Sequence, residues 1–182
     1  MTSLEQHPPP PAGRVLVTGT GCASRLLDIG DLRARSQVRL DVEYVTRRKR
    51  ERHEVHGVHL YDVLREGPLP LDPRHKMSGL TVVVVAVAED GFRVVLSLAE
   101  IDPEFGHCAA LLATRYNGEL LPRPTLVMPS DLRASRYVRG LAELRLFSVN
   151  ASNAAAVAAG SSRIGEWPAP GSGTTRAPGT VR

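Results

Sequence analysis

The chain is short of aromatic residues, of cysteine and of long apolar runs, and each shortage excludes something. Phe, Trp and Tyr make up 4% of its 182 residues, so Val, Leu and Ala must supply most of any core. The two cysteines, Cys22 and Cys108, lie far apart and do not make the disulfide framework of a small secreted domain. A reducing compartment is the simpler expectation. The longest apolar run, residues 80–88, includes Thr81 and is too short to cross a bilayer as a helix, which takes about 20 residues. The opening MTSLEQHPPPPAG has no apolar h-region, so no secretory signal is expected. Together these features predict a cytoplasmic protein with no membrane partner. Several catalytic signatures are also missing. There is no Gly-x-Ser-x-Gly elbow, no His-Glu-x-x-His and no P-loop lysine motif. The acidic pairs Glu89-Asp90 and Asp102 with Glu104 fall at turn-like positions, which argues against paired catalytic carboxylates.

What is present fits one globular domain. Apolar content is 42% and charged content 23%, near the values for such domains, and the length allows one modest core. The net charge of +4 suits a small anionic ligand without requiring one. Residues 1–13 contain a polyproline stretch that cannot join a ladder, and read as a stiff, disordered leader. Residues 150–182 begin rich in Ala and become rich in Gly, Ser, Thr and Pro. That composition buries too little apolar surface to offset the entropy of ordering, so a disordered tail is expected, with Trp167 an incidental aromatic in it.

Residues 14–149 form the expected domain. Residues 14–18 are a short apolar run ending at Gly19. Val38, Leu40, Val42 and Tyr44 alternate with Arg39, Asp41 and Glu43, the period of a half-buried strand. The run at 80–88 reads as a strand buried on both faces. Asp90-Gly91 then signals a tight turn into a strand at 92–98, and Asn117-Gly118 a hairpin after 109–116. Residues 126–128 and 144–149 close the strand set. Helices are predicted only at 28–35, with Asp28 as cap, and at 60–66, where Leu60, Val63 and Leu64 share a face. The order implies an α+β fold, mixed but mainly β, with a few short helices.

Three local patterns suggest chemistry. Gly19-x-Gly21 after a strand resembles a dinucleotide-binding turn, but a third glycine and a long following helix are missing, which leaves a plain glycine turn. Arg47-Arg48-Lys49-Arg50 with Arg52 has the charge to bind phosphates. It lacks interleaved aromatics for base stacking and falls where a solvated hairpin tip is expected, so nucleic acid is not the expected partner. His53, His56 and His59 are spaced by three. On a strand that spacing alternates faces, so no metal site is expected from them.

The order of segments resembles the molybdopterin-binding domain of the sulfite oxidase family. The likeness rests on Leu27-Asp28-Ile29-Gly30-Asp31-Leu32 and on Gly57-Val58-His59-Leu60-Tyr61-Asp62-Val63-Leu64, the most specific match. It continues through Asp90-Gly91-Phe92, Leu111-Leu112-Ala113 with Asn117-Gly118, Leu126-Val127-Met128-Pro129, and Arg136-Tyr137-Val138-Arg139. The resemblance implies a mixed, mainly β fold and, if the chain is an enzyme, a molybdenum-cofactor-dependent oxidoreductase. Two departures accompany it. Catalytic members hold molybdenum through a cysteine thiolate, a soft anionic ligand, and the matching interval 45–56 contains none. The family's His-Gly and Arg are also missing around Pro122 to Thr125. The family's late basic position is kept as Arg139. Binding of molybdopterin through its phosphate would call on guanidinium groups, with Arg139 first and Arg136 and Arg123 behind it. The competing reading is a domain with no cofactor, which keeps the fold as a ligand-binding or protein-interaction module.

Overall fold

The computed structural model describes residues 10–20, 22–106 and 108–149, with Cys22 described by its backbone only. The expected C-terminal tail with Trp167, most of the N-terminal leader, and His107 lie outside the described residues. The fold is mainly β, as its patterning predicts: the described residues form nine strands in two sheets, with three short helices. The first sheet has five strands. In spatial order they are β2 (Cys22–Asp28), β1 (Arg14–Gly19), β9 (Leu141–Ser148), β5 (Val82–Ala88) and β6 (Arg93–Ser97). All pairings in it are antiparallel except β1 with β9. The second sheet, wholly antiparallel, runs β3 (Val38–Val45), β4 (Arg50–His59), β7 (Leu111–Tyr116), β8 (Glu119–Val127).

One core cluster joins the two sheets, with Val15, Val84, Leu112, Leu126 and Leu144 fully buried in it. Helix α1 (Ile29–Ala34) starts where expected, because the Asp28 carboxylate accepts the Gly30 N–H at 2.8 Å and caps it. Helix α2 (Leu60–Arg65) buries Leu60, Val63 and Leu64. Helix α3 (Leu98–Ile101) is a single turn that periodicity is too short to reveal.

Three elements differ from expectation. The glycine turn after β1 leads into an antiparallel partner strand, β2, which pairs back onto β1 from Arg14↔Asp28 to Gly19↔Cys22. A hairpin there rules out a strand–turn–helix crevice. Strand β8 begins seven residues before the expected 126, through Pro122 and Pro124. Prolines cannot donate to a ladder, but β8 is an edge strand, where that donor is not required. Finally, residues 78–81 form a 3-10 turn before β5, and Val83 and Val85 are only half-buried. The apolar run therefore covers one core face and one partly open face.

The basic run closes the β3–β4 hairpin. Thr46 clamps the tip: its N–H and its hydroxyl both donate to the Lys49 carbonyl, each at 2.8 Å. On the solvent face Arg39 pairs with Glu54, Arg50 with Glu43, and Arg52 with Asp41. Of the basic run this ladder pairs Arg50 and Arg52, and Lys49 approaches Glu51 at 3.9 Å.

Gly57, in the most specific match of the sequence resemblance, has a steric reason to be glycine. It sits at a register shift between β4 and β7, and a Cβ there would come within 2.3 Å of the Leu112 carbonyl oxygen. Backbone cannot give way as a side-chain tip can. Gly57→Ala is therefore expected to destabilise the domain by about 1–3 kcal/mol, read as a lower midpoint in urea unfolding. An unchanged midpoint would show that the two strands can separate freely.

Candidate functional site

The sequence holds four tyrosines, and three of them meet. The hairpin register sets Val42 opposite His53 and Tyr44 opposite Glu51, so Tyr44 and His53 are diagonal neighbours on the inner face. The β4–β7 pairing then sets Val55 opposite Tyr116. The Tyr44 and His53 rings stack with centroids 5.1 Å apart, and His53 lies 5.1 Å from Tyr116. Tyr137 meets the edge of Tyr44 at 5.6 Å. Hydrogen bonds tie the group together. The Tyr44 hydroxyl is 3.0 Å from His53 Nε2 and 3.5 Å from the Tyr116 hydroxyl, while His53 Nδ1 is 2.9 Å from Asn117 Nδ2.

Tyr116 and Asn117 also line the larger cavity, of about 580 Å³, with Arg123, Thr125, Arg139 and Glu119. Arg139 is held there by its neighbours. Val138 and Leu126 exchange backbone hydrogen bonds of 3.0 and 2.9 Å, and Gly140 turns with φ +61° into β9. The Arg139 side chain is exposed and has no hydrogen bond or ion pair among the described residues. Its charge lies close enough to act on the Tyr116 hydroxyl. Burial pushes the Tyr116 phenol well above its ordinary range, so it remains a neutral O–H.

The three arginines singled out in the sequence have different fates. Arg123 lines the cavity but is buried and engaged. Its Nε pairs with Glu89 at 2.8 Å, and its terminal nitrogens donate to the carbonyls of Arg14 at 2.9 Å and Pro10 at 2.7 Å. It fastens residues 10–14 to β8. Arg136 stands apart from the cavity, clamped by Asp131 at 2.5 and 2.9 Å and by Glu100 at 2.8 Å. These bonds hold its guanidinium proton still more tightly than usual. Arg139 alone of the three combines a place in the cavity with an unengaged guanidinium.

The cysteine and histidine candidates fall elsewhere. Cys108 is buried beside a smaller cavity of about 220 Å³ that His59 also lines, and Ser130 Oγ donates to its sulfur at 3.4 Å. His56 turns outward to Glu54 at 2.8 Å. Among the described residues no group of three or more His, Cys, Asp or Glu side chains is placed to hold a metal ion, and no helix is long and apolar enough to cross a membrane.

No family model matches the chain, and no curated protein matches it. A solved structure does: the sulfane dehydrogenase SoxCD from Paracoccus pantotrophus superposes with a TM-score of 0.57 at 15% identity, over 75% of this chain. This chain spans 39% of that one. At that identity the likeness is one of fold alone.

Sequence reasoning missed the aromatic cluster. Tyr44 was legible only as the end of an alternating strand. The hairpin signals flanking residues 46–49 and 117–118 place Tyr44 near His53, and Tyr116 at a turn, but the pairing of β4 with β7 that joins them is non-local.

Two stability contrasts follow. Arg123→Ala strands two backbone carbonyls and is expected to cost about 1.5–3 kcal/mol, whereas Arg139→Ala should stay within about 0.5 kcal/mol; chemical denaturation compares them, and equal costs would refute the division of roles. The Tyr137 hydroxyl is buried and meets no protein partner among the described residues, and burial pushes its pKa up to about 12 from 10.0. The unfolded phenol loses its proton first, so stability should fall as pH rises from 10 to 12. Tyr137→Phe should flatten that decline and raise neutral-pH stability by about 1 kcal/mol. Thermal melts of both proteins across that range check it, and parallel pH profiles would count against it.

Proposed function

We propose that this domain binds a small anionic ligand of the pterin-phosphate class in the larger cavity, and that it does so without gripping molybdenum through a protein thiolate. The observation that carries the reading is Arg139, unengaged at the edge of a cavity of about 580 Å³. A guanidinium suits a phosphate, to which it can donate two parallel hydrogen bonds. Glu119, on the same wall, offers a carboxylate to the N–H-rich edge of a pterin ring. Arg139 and Arg123, two of the arginines that the sequence resemblance singles out, both line this one cavity, although residues 122–125 lack the family's His-Gly and Arg. That convergence supports the pterin class over an arbitrary anion.

The metal half of a molybdenum cofactor does not fit in the same way. The interval expected to carry the thiolate is the tip and early part of β4, where Thr46 closes the turn and no cysteine occurs. Cys108 lines the other cavity. A soft metal thus has no thiolate at the expected place. The second reading, a cofactor-free module that keeps the fold, draws on the same missing cysteine and on the engagement of Arg123 and Arg136.

Expression in a host that makes the cofactor, followed by measurement of molybdenum and of the fluorescent pterin oxidation product per mole of protein, separates the two. The expected result is stoichiometric pterin in the wild type and background pterin in Arg139→Ala. Background pterin in both would leave the cofactor-free module.

A further inference from the structure

The hydrogen bonds beside the cavity have a direction, and it can be read from a group that cannot turn. The backbone N–H of Glu54 donates to Asn117 Oδ1 at 3.0 Å. That bond fixes which end of the Asn117 amide is oxygen, because a backbone N–H can only donate. The hairpin tip is docked a second time, by the Asn117 N–H on the Glu54 carbonyl at 2.8 Å, so the amide is not free to flip. Its Nδ2 therefore faces His53 Nδ1 as a donor, at 2.9 Å. His53 Nδ1 must accept, and the neutral ring carries its proton on Nε2. That N–H points at the Tyr44 hydroxyl at 3.0 Å, with the Glu51 carboxylate at 3.3 Å as a second acceptor. Tyr44 cannot donate back to an N–H, so its own proton turns to the remaining neighbour, the Tyr116 oxygen at 3.5 Å. Tyr116 then accepts from within the cluster, and its proton is left for whatever occupies the cavity it lines.

We infer that Tyr116 is a ligand-recognising hydroxyl donor, oriented by Asn117 and His53 through Tyr44, and that with Arg139 it selects a ligand oxygen that is anionic and acceptor-only, such as a phosphate oxygen. The inference rests on the cavity being a ligand site, as proposed above, but not on the ligand being a pterin. A charge-assisted O–H···O⁻ bond is short and stronger than a neutral one. A hydroxyl held ready in the donor orientation also loses little freedom on binding. An oxygen that carries its own proton can still accept from the phenol, but without the charge that strengthens the bond. His53 and Asn117 are positioning residues here. They act by removing the alternative orientations of two phenols: His53 lies outside the cavity lining, and Asn117 lines it with its amide engaged by Glu54 and His53.

The test uses the full chain and inorganic phosphate as probe, titrated by calorimetry at constant ionic strength, with melting curves confirming that each variant is folded. Wild type should bind phosphate, and Tyr116→Phe should weaken it about 10-fold. His53→Leu should weaken it by the same factor, and the double variant should be no weaker than either single one, since both break one chain. His53→Gln, which can present an amide N–H to Tyr44, should recover most of the affinity. Independently, nitrogen shifts of the wild-type His53 ring should report the Nε2–H tautomer. Equal phosphate affinity in wild type and Tyr116→Phe, multiplying effects of the two substitutions, no phosphate binding by the wild type, or an Nδ1–H tautomer would each overturn the inference. Phosphate binding with the expected Tyr116 loss in a protein that carries no pterin would uphold it while removing the pterin reading.

Discussion

The antiparallel pairing of β4 with β7 is the constraint on which the rest of the molecule depends. It joins two hairpins that are each locally encoded, one closed by Thr46 to Lys49 and one by Asn117-Gly118. Without it, Tyr44 and His53 would lie on one unit and Tyr116 and Asn117 on another. The pairing is made at close range: the strands come together at Gly57, where even a methyl group has no room. The bulge beside Gly57 lets Val55 face Tyr116 while Gly57 faces Ala113, and this offset brings the aromatic rings into register. The cavity wall is thus a consequence of one non-local ladder with a single permissive residue in it.

Much of the fold could be read in the residues, and the reasons for the exceptions are physical. Asp28 capping α1, the Leu60–Val63–Leu64 face of α2 and the two hairpin turns are local devices, so they were legible. Asn117 takes φ 48° and Gly118 φ 83°, the conformations those two residue types adopt at least cost. Strand β2 was not legible because Arg25, Leu26 and Leu27 show no clean alternation. The early part of β8 was hidden by Pro122 and Pro124, which read as breakers until the strand is known to be an edge. Of the candidate site, Arg139 was legible through a resemblance and not through its spacing. The aromatic cluster was not, since nothing in a sequence states which hairpins pair.

Arginines illustrate why residue type alone is a poor guide to a site. Arg145 is buried in a bidentate pair with Glu143 two residues along β9, at 2.7 Å, and Thr18 donates to the same carboxylate at 3.2 Å. Arg136 and Arg123 are engaged by carboxylates and carbonyls, and Arg39, Arg50 and Arg52 of the β3–β4 hairpin form an exposed ladder. Each of these guanidiniums already has acceptors, so an incoming anion would have to displace them. An unengaged guanidinium is attracted to an anion at no such cost, and this is why Arg139, exposed and unremarkable by burial, outranks its buried neighbours as a ligand contact.

No residue of the β3–β4 hairpin lines the larger cavity, yet Glu54 and His53 of that hairpin hold the Asn117 that does. The β3–β4 connection is closed by Thr46, which accepts the Lys49 N–H at 3.1 Å. Nothing in that turn requires a metal to hold its shape. The cavity residues lie on β7, β8 and the approach to β9, and they are braced by the Leu126–Val138 bridge and by the docking of Asn117 on Glu54. Neither brace passes through the β3–β4 tip. The tip can therefore vary without loosening the cavity wall, whereas the early part of β4, which carries His53 and Glu54, cannot.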